Sequence, residues 1–175
     1  MILPSEILFR ELNEEDASQF HEIVSANKSR LSRYFPITIS RTKTPKATKE
    51  YLVAYSLKQD LKDFYVFGLF KDNQLIGVLF VKSINWEIPK CELAYFIDQD
   101  WEGKGITTWG VDQLTKFCFK KLEMNKIFLR FERSNFSSRK VALKNGFRKE
   151  GTLRSEFKVE TGELIDLEYF GKIKR

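Results

Sequence analysis

The chain has 175 residues, 42% of them hydrophobic and 14% aromatic, with a formal net charge of +6. That length fits one domain able to bury roughly 70% of its unfolded surface, and the composition excludes a disordered or collagen-like chain. No apolar run approaches the ~18 residues of a membrane span, and Met1-Ile2-Leu3-Pro4-Ser5-Glu6 lacks the basic-then-apolar pattern of a secretory signal, so a cytoplasmic protein is expected.

Glu6–Leu12 alternates enough to predict a strand. Asn13 caps the next helix, with Glu14, Glu15 and Asp16 in a first turn where acids suit the macrodipole. Phe20, Ile23 and Val24 give that helix its apolar stripe, and the pattern breaks at Pro36. Thr44-Pro45 reads as a second start, a cap followed by proline at the first helical position, with Tyr51, Leu52, Tyr55 and Leu57 at helical spacing. Phe64–Phe70 and Gln74–Val81 predict strands joined by a Lys71-Asp72-Asn73 turn, and Cys91–Ile97 predicts another.

Thr107–Leu122 predicts a helix with Val111, Leu114, Cys118 and Leu122 on one face. Lys126–Glu132 is a strand, and Ser138–Asn145 a short helix stopped by Gly146. Phe147–Leu153 and Leu164–Ile173 are closing strands with Thr161-Gly162 between them. The order β-α-α-β-β-β-α-β-α-β-β predicts an α+β domain spanning 1–175. Its sheet is mostly antiparallel, with one parallel neighbour pair where a helix crosses over. Cys91 and Cys118 have no metal spacing and read as reduced core thiols, and His21, the only histidine, reads as a surface or packing residue. No metal constellation, Ser-His-Asp set or RNA-binding aromatic motif is present.

Asp100-Trp101-Glu102-Gly103-Lys104-Gly105-Ile106-Thr107 lies between a strand and a helix. Backbone N–H groups at such a glycine-bracketed helix start are free to bind an anion. The dinucleotide fingerprint fails, since its third glycine would be Thr108, and the phosphate-loop motif fails because Val111 follows Gly110. Taken alone, the segment reads as an ordinary helix entry more readily than as an anion site.

With the second motif, Asn135-x-x-Ser138-x-x-Val141-x-x-Lys144-x-Gly146-Phe147, the segment resembles the acyl-coenzyme A site of the GNAT superfamily of N-acetyltransferases. The branch that acetylates N-termini of ribosomal proteins is the most similar. The superfamily motif Gln/Arg-x-x-Gly-x-Gly/Ala aligns with Glu102 to Thr107. Gly105 matches, Glu102 replaces Gln/Arg, and Thr107 replaces Gly/Ala. Cys91-Glu92-Leu93-Ala94-Tyr95-Phe96-Ile97 resembles the fourth strand, and Asp166-Leu167-Glu168-Tyr169-Phe170 the closing one. The resemblance implies a twisted sheet splayed between strands 4 and 5, with helices on both faces.

It also implies acetyl-CoA as co-substrate, without a metal. Backbone groups of Glu102, Gly103, Lys104, Gly105, Ile106 and Thr107 would hold the pyrophosphate. Glu102 would turn outward or hold Lys104. Phe96 and Ile97 would offer backbone groups to the pantetheine and thioester, and Asn135 would contact the cofactor near its thiol. Ser138 is the candidate to protonate the leaving thiolate, although a serine opening a helix also reads as a cap. No tyrosine lies between Tyr95 and Tyr169 to take that role. Glu92 and Glu156 compete as general base, each alternatively an exposed sheet carboxylate. A valine in place of Gly105, taken to have helical angles, is expected to keep the fold and block the phosphate.

An α-amino group near pKa 7.8 is about 14% neutral at pH 7, against about 0.04% for lysine, a difference of roughly 3.5 kcal/mol that lets a weak base suffice. Together with the resemblance to the ribosomal-protein branch, this makes a protein N-terminus the expected acceptor. Between Glu22 and Glu50 there is no acid, while Lys28, Arg30, Arg33, Arg41, Lys43, Lys46 and Lys49 fall in that stretch. This basic segment reads as a solvated face or as the border of an acceptor groove, disfavouring polyamines and favouring an acidic protein partner. The alternatives are a small-molecule amine acetyltransferase (polyamine, amino acid or antibiotic) and a non-catalytic CoA-binding module. Nucleic-acid and membrane partners are not expected, and the chain is expected to be a monomer or homodimer.

Overall fold

The computed structural model describes residues 6–174, and the segment before Glu6 that bears on a secretory signal lies outside the described residues. Among the described residues the strands are β1 (Ile7–Glu11), β2 (Tyr65–Lys71), β3 (Gln74–Asn85), β4 (Lys90–Ile97), β5 (Lys126–Glu132), β6 (Arg148–Lys158) and β7 (Leu164–Ile173). They form one sheet in the order β1-β2-β3-β4-β5-β7-β6. Every neighbouring pair is antiparallel except β4 and β5, which are parallel. The helices are α1 (Ala17–Ala26), α2 (Lys28–Leu31), α3 (Pro36–Arg41), α4 (Pro45–Asp60), α5 (Ile106–Lys120) and α6 (Phe136–Lys144).

Local chemistry explains most of the boundaries. Asn13 and Asp16 form a reciprocal capping box over a 3-10 turn that runs into α1. Asp72 and Asn73 both take positive φ, 49° and 65°, which is the twist a two-residue hairpin between β2 and β3 needs. Gly146 stops α6 in the left-handed region at φ 77°, as its position suggests.

Some boundaries differ from expectation. Pro36 does not break the chain into a loop; it opens α3 from the first helical position, where a missing N–H costs nothing. Leu57 is 61% exposed and lies off the buried stripe of α4, which keeps Tyr51 and Leu52. β6 extends to Lys158, and α6 starts two residues before Ser138.

Period-2 alternation divides the core between the two faces of the sheet. Leu69, Leu79, Leu93, Ile97, Ile127 and Leu129 point to the α5 and α6 face, meeting Val111, Leu114 and Ala142. Val66, Val78, Phe80 and Phe96 point the other way, meeting Phe20, Val24 and Leu52 of α1 and α4. Gly110 lets α5 approach closely: a Cβ there would lie 3.1 Å from Leu69. Cys91 and Cys118 are free and buried, and His21 is half-buried with Nδ1 2.8 Å from the Thr42 carbonyl oxygen.

Glu168 on β7 is 2% exposed and ties α6 to the sheet. It accepts from Arg139 of α6 and from Lys149 at 2.7 Å. Burial pushes this carboxyl up, but the two cations outweigh it and hold it below the ordinary glutamate value. A lowered folded value means stabilisation that is present at neutral pH and lost as pH falls below about 4. Glu168→Gln should therefore cost about 2 kcal/mol at pH 7, discounted for the partly exposed cations, with the deficit shrinking at pH 3. Urea unfolding of both proteins at the two pH values checks this.

Candidate active site

β4 and β5 pair only from Lys90–Lys126 to Glu92–Phe128 and then part. Beyond that point Leu93 to Ile97 leave their β5-side backbone edge unpaired by β5, while β3 pairs the opposite edge. A cavity of about 130 Å³ opens in the gap. Tyr34, Phe35, Lys82, Glu92, Tyr95, Arg130, Asn135, Ser138 and Phe157 line it. The splay thus brings Glu92, Asn135 and Ser138 together, while Glu156 is not among the lining residues.

Strand alternation sorts the lining between the two faces. Tyr95, on the Leu93 and Ile97 side of β4, faces α6, where its hydroxyl lies 3.4 Å from the Ser138 carbonyl oxygen. Burial pushes the Tyr95 phenol well above its ordinary value, so it stays protonated at neutral pH. Glu92, on the Ala94 and Phe96 side, faces the α1 to α3 layer with Arg130. Candidate acid and candidate base therefore lie on opposite faces of one opening.

Asn135 caps α6, its Oδ1 accepting from the Ser138 backbone N–H at 3.0 Å. Ser138 is thus not the cap; it is the third helical residue, and α6 presents it to the cavity. Glu92 is 3% exposed, accepts from Arg130 Nη2 at 2.7 Å, and pairs with Lys82 at 3.4 Å. It is not the exposed sheet carboxylate of the alternative reading. Glu156 is exposed, and it accepts from Arg130 Nη1 at 2.5 Å. Opposing charge on Glu92 and Glu156 raises the Arg130 guanidinium above its ordinary value against the burial that lowers it, so it is permanently charged.

The glycine turn opens α5. Gly103 and Gly105 take φ of 72° and 81°, and a Cβ at either would meet nothing within 4 Å. No side chain caps this helix start, so the amides after Gly105 are free donors. Ile106 is buried and anchors the turn, and Thr107 is half-buried beside it. Lys104 bends back to the Asp100 carbonyl at 2.7 Å and lies over the Trp101 ring. Glu102 does not hold Lys104; it pairs with Arg30. Phe96 and Ile97 bury their side chains on opposite faces, leaving only backbone toward the splay.

The basic segment reaches the cavity differently from expectation. Asn27 donates to Asp98 at 2.8 Å, Arg30 pairs with Glu102, and Arg33 chelates Glu132 at 3.0 and 2.9 Å. Tyr34 adds a hydrogen bond to Glu132 at 2.8 Å. Residues 27–35 are thereby a strap across the splay, and the two arginines that border it are each neutralised by a glutamate.

Residues 6–148 match the acetyltransferase (GNAT) domain family. The chain belongs to that family. It is 29% identical over 171 residues, 97% of this chain and 92% of the relative, to a Bacillus subtilis (strain 168) protein named "Putative ribosomal N-acetyltransferase YdaF". The crystal structure of ribosomal-protein-S5-alanine acetyltransferase from Vibrio fischeri superposes with a TM-score of 0.89 at 22% identity, covering 96% of this chain and 93% of that one. RimL, ribosomal L7/L12 alpha-N-protein acetyltransferase in complex with coenzyme A, gives 0.89 at 19% identity, covering 97% and 94%. The chain is an N-acetyltransferase with the fold of these enzymes. No described helix is long and apolar enough to cross a membrane.

Tyr95, Tyr34 and Arg130 are among the lining residues that the sequence did not point to. Tyr95 was legible from strand alternation, two positions from Leu93 on the face that Ser138 approaches. Tyr34 and Arg130 gave no local signal, because each is defined by a partner about 98 or 38 positions away. Gly105 was misread in its angles. At φ 81° a valine is strained whatever space is available, so Gly105→Val is not the mild change expected. Gly105→Ala should lose about 1 kcal/mol, matched by Gly162→Ala at φ 90° in the distant β6–β7 turn. Chemical denaturation of the two variants side by side measures both losses.

Proposed function

We propose that the chain acts as one acetyltransferase domain that transfers acetyl from acetyl-CoA to the N-terminal α-amine of a protein, a ribosomal protein with a small first residue. The observation that carries this reading is the opening through the sheet, with Ser138 and Tyr95 on one face and Glu92, Arg130 and Glu156 on the other. A donor can enter from one side and an amine from the other. The names of the relatives support a ribosomal acceptor.

The residues present fit coenzyme A. Both glycines leave open space over uncapped amides, where a pyrophosphate can lie on the backbone from Glu102 to Thr107. The unpaired edge through Phe96 and Ile97 suits an arm running as an added strand. Bound there, acetyl-CoA supplies the activated thioester. Asn135, whose oxygen is spent on the cap, keeps its amide N–H groups for the arm. Ser138 gives the proton to the departing sulfur, steadied by Tyr95 at its carbonyl. Glu156 is the base in this reading, because the Glu92 oxygens are engaged by Arg130, Lys82 and Ser83.

The cavity holds the volume of about four waters, which admits a small first residue and not a bulky one. Peptides beginning with Ser or Ala should exceed those beginning with Leu or Phe by at least about 10-fold in kcat/KM. Turnover of spermidine well above every peptide sinks the N-terminal reading. Ser138→Ala should lower kcat about 100-fold with little change in KM for acetyl-CoA. Gly105→Ala should weaken acetyl-CoA binding about 10-fold or more while Gly162→Ala leaves it intact; equal Kd values by calorimetry overturn the cradle.

A further inference from the structure

Three strands meet at one guanidinium. Arg130 of β5 donates Nη2 to Glu92 of β4 and Nη1 to Glu156 of β6, while its Nε is buried without a partner among the described residues. The two carboxylates it joins are unlike. Glu92 is buried, with Lys82 at 3.4 Å and Ser83 Oγ at 3.4 Å as further partners. Ser83 sits at φ 51° in an irregular stretch of β3, and that distortion turns it toward Glu92. Glu156 is exposed and sits in a bulge of β6, where four steps from Leu153 to Phe157 oppose two on β7. Ser155 takes φ 50° there, and its N–H is fixed by Asp166 at 2.8 Å. The bulge aims Glu156 back across the sheet at Arg130.

We propose that Arg130 is a positioning residue of the acceptor side: anchored by Glu92, it holds Glu156 at the mouth until the incoming ammonium takes its place there. The inference rests on the acetyl-transfer reading above and adds the residue that prepares the base. An ammonium carries the same charge as the guanidinium, so Glu156 keeps a cationic partner through the exchange. Arg130 stays behind because Glu92 still holds Nη2. The N–H bond of the ammonium then breaks and an O–H bond forms on Glu156. The electron pair remains on the amine nitrogen, and the amine and the Glu156 carboxylic acid are both neutral. The pair Arg130–Glu92 is the fixed half of the device, and Glu156 the half that turns over.

Arg130→Gln, Arg130→Lys, Glu156→Gln and the double variant Arg130→Gln with Glu156→Gln test this. The acceptor is whichever amine the parent enzyme acetylates best, so an error about the N-terminal acceptor leaves the comparison standing. Arg130→Gln should lower kcat/KM for the acceptor about 100-fold and leave KM for acetyl-CoA within about 2-fold. Arg130→Lys should recover part of the loss, since an ammonium keeps the charge but lacks the planar fork that places one nitrogen on each carboxylate. The double variant should be within about 3-fold of Glu156→Gln, because both changes act through one group. Losses that multiply in the double variant, no recovery in a folded Arg130→Lys, or a loss confined to KM for acetyl-CoA each overturn the proposal. Thermal melts show which variants are folded, and Arg130→Lys, which keeps the buried charge opposite Glu92, carries the comparison if Arg130→Gln is not.

Discussion

β4 and β5 hydrogen-bond over three residue pairs and then separate, and the site follows from that separation. A strand edge left unpaired inside a protein carries donors and acceptors that need partners. Here the edge from Leu93 to Tyr95 borders a cavity, so those groups are offered to whatever enters the gap. The crossing helix α5 follows β4 in the chain, and no side chain caps its first turn. The parallel pair therefore creates the slot and the helix start in one piece of chain. An antiparallel hairpin at this point would have paired the edge and offered no helix terminus.

Charge holds the slot open in a defined shape. The ion pair between Arg130 and Glu92 sits where the strands part, and the strap of residues 27–35 is fastened to both lips. At one lip Asn27 and Arg30 hold Asp98 and Glu102; at the other Arg33 and Tyr34 hold Glu132. Hydrogen bonds from Arg33 and Tyr34 keep the Glu132 carboxyl below its ordinary value despite partial burial, so this fastening is charged at neutral pH. The strap packs Tyr34 against Val159, Ile165 and Leu167, which makes the β6–β7 hairpin its third support.

The elements of the fold were legible because each has a local cause. Caps at Asn13 and Thr44-Pro45, the Asp72-Asn73 turn and the Gly146 stop all act within four residues. The run Cys91–Ile97 marked a strand, while Glu92, Asn135 and Ser138 were named as site residues only through the family resemblance. What was not legible is non-local. The partner of Glu102 is Arg30, 72 positions away, and nothing near either residue announces it. The same holds for Arg130, whose two carboxylates come from strands on either side of it in the chain. Gly105 failed for a different reason. A residue before a helix was assigned helical angles, although the glycine at that place is there because the backbone leaves the right-handed region.

Glu102 shows how a departure from a family pattern can be absorbed by distant charge. An acid beside an anion site is unfavourable by the Coulomb energy of like charges, about 1 kcal/mol at contact distance in water and more where water is partly excluded. Pairing with Arg30 cancels that field locally, and Arg30 is itself held by Asn27 Oδ1 at 2.6 Å. The glycine turn proposed as a phosphate cradle and the strap thus share one ion pair. A substitution restoring a neutral residue at 102 would relieve the anion site and at the same time release the strap at that lip. The acid is therefore better read as half of a fastening than as a defect in the motif. Its side chain serves the strap, while the backbone around it remains available to the ligand.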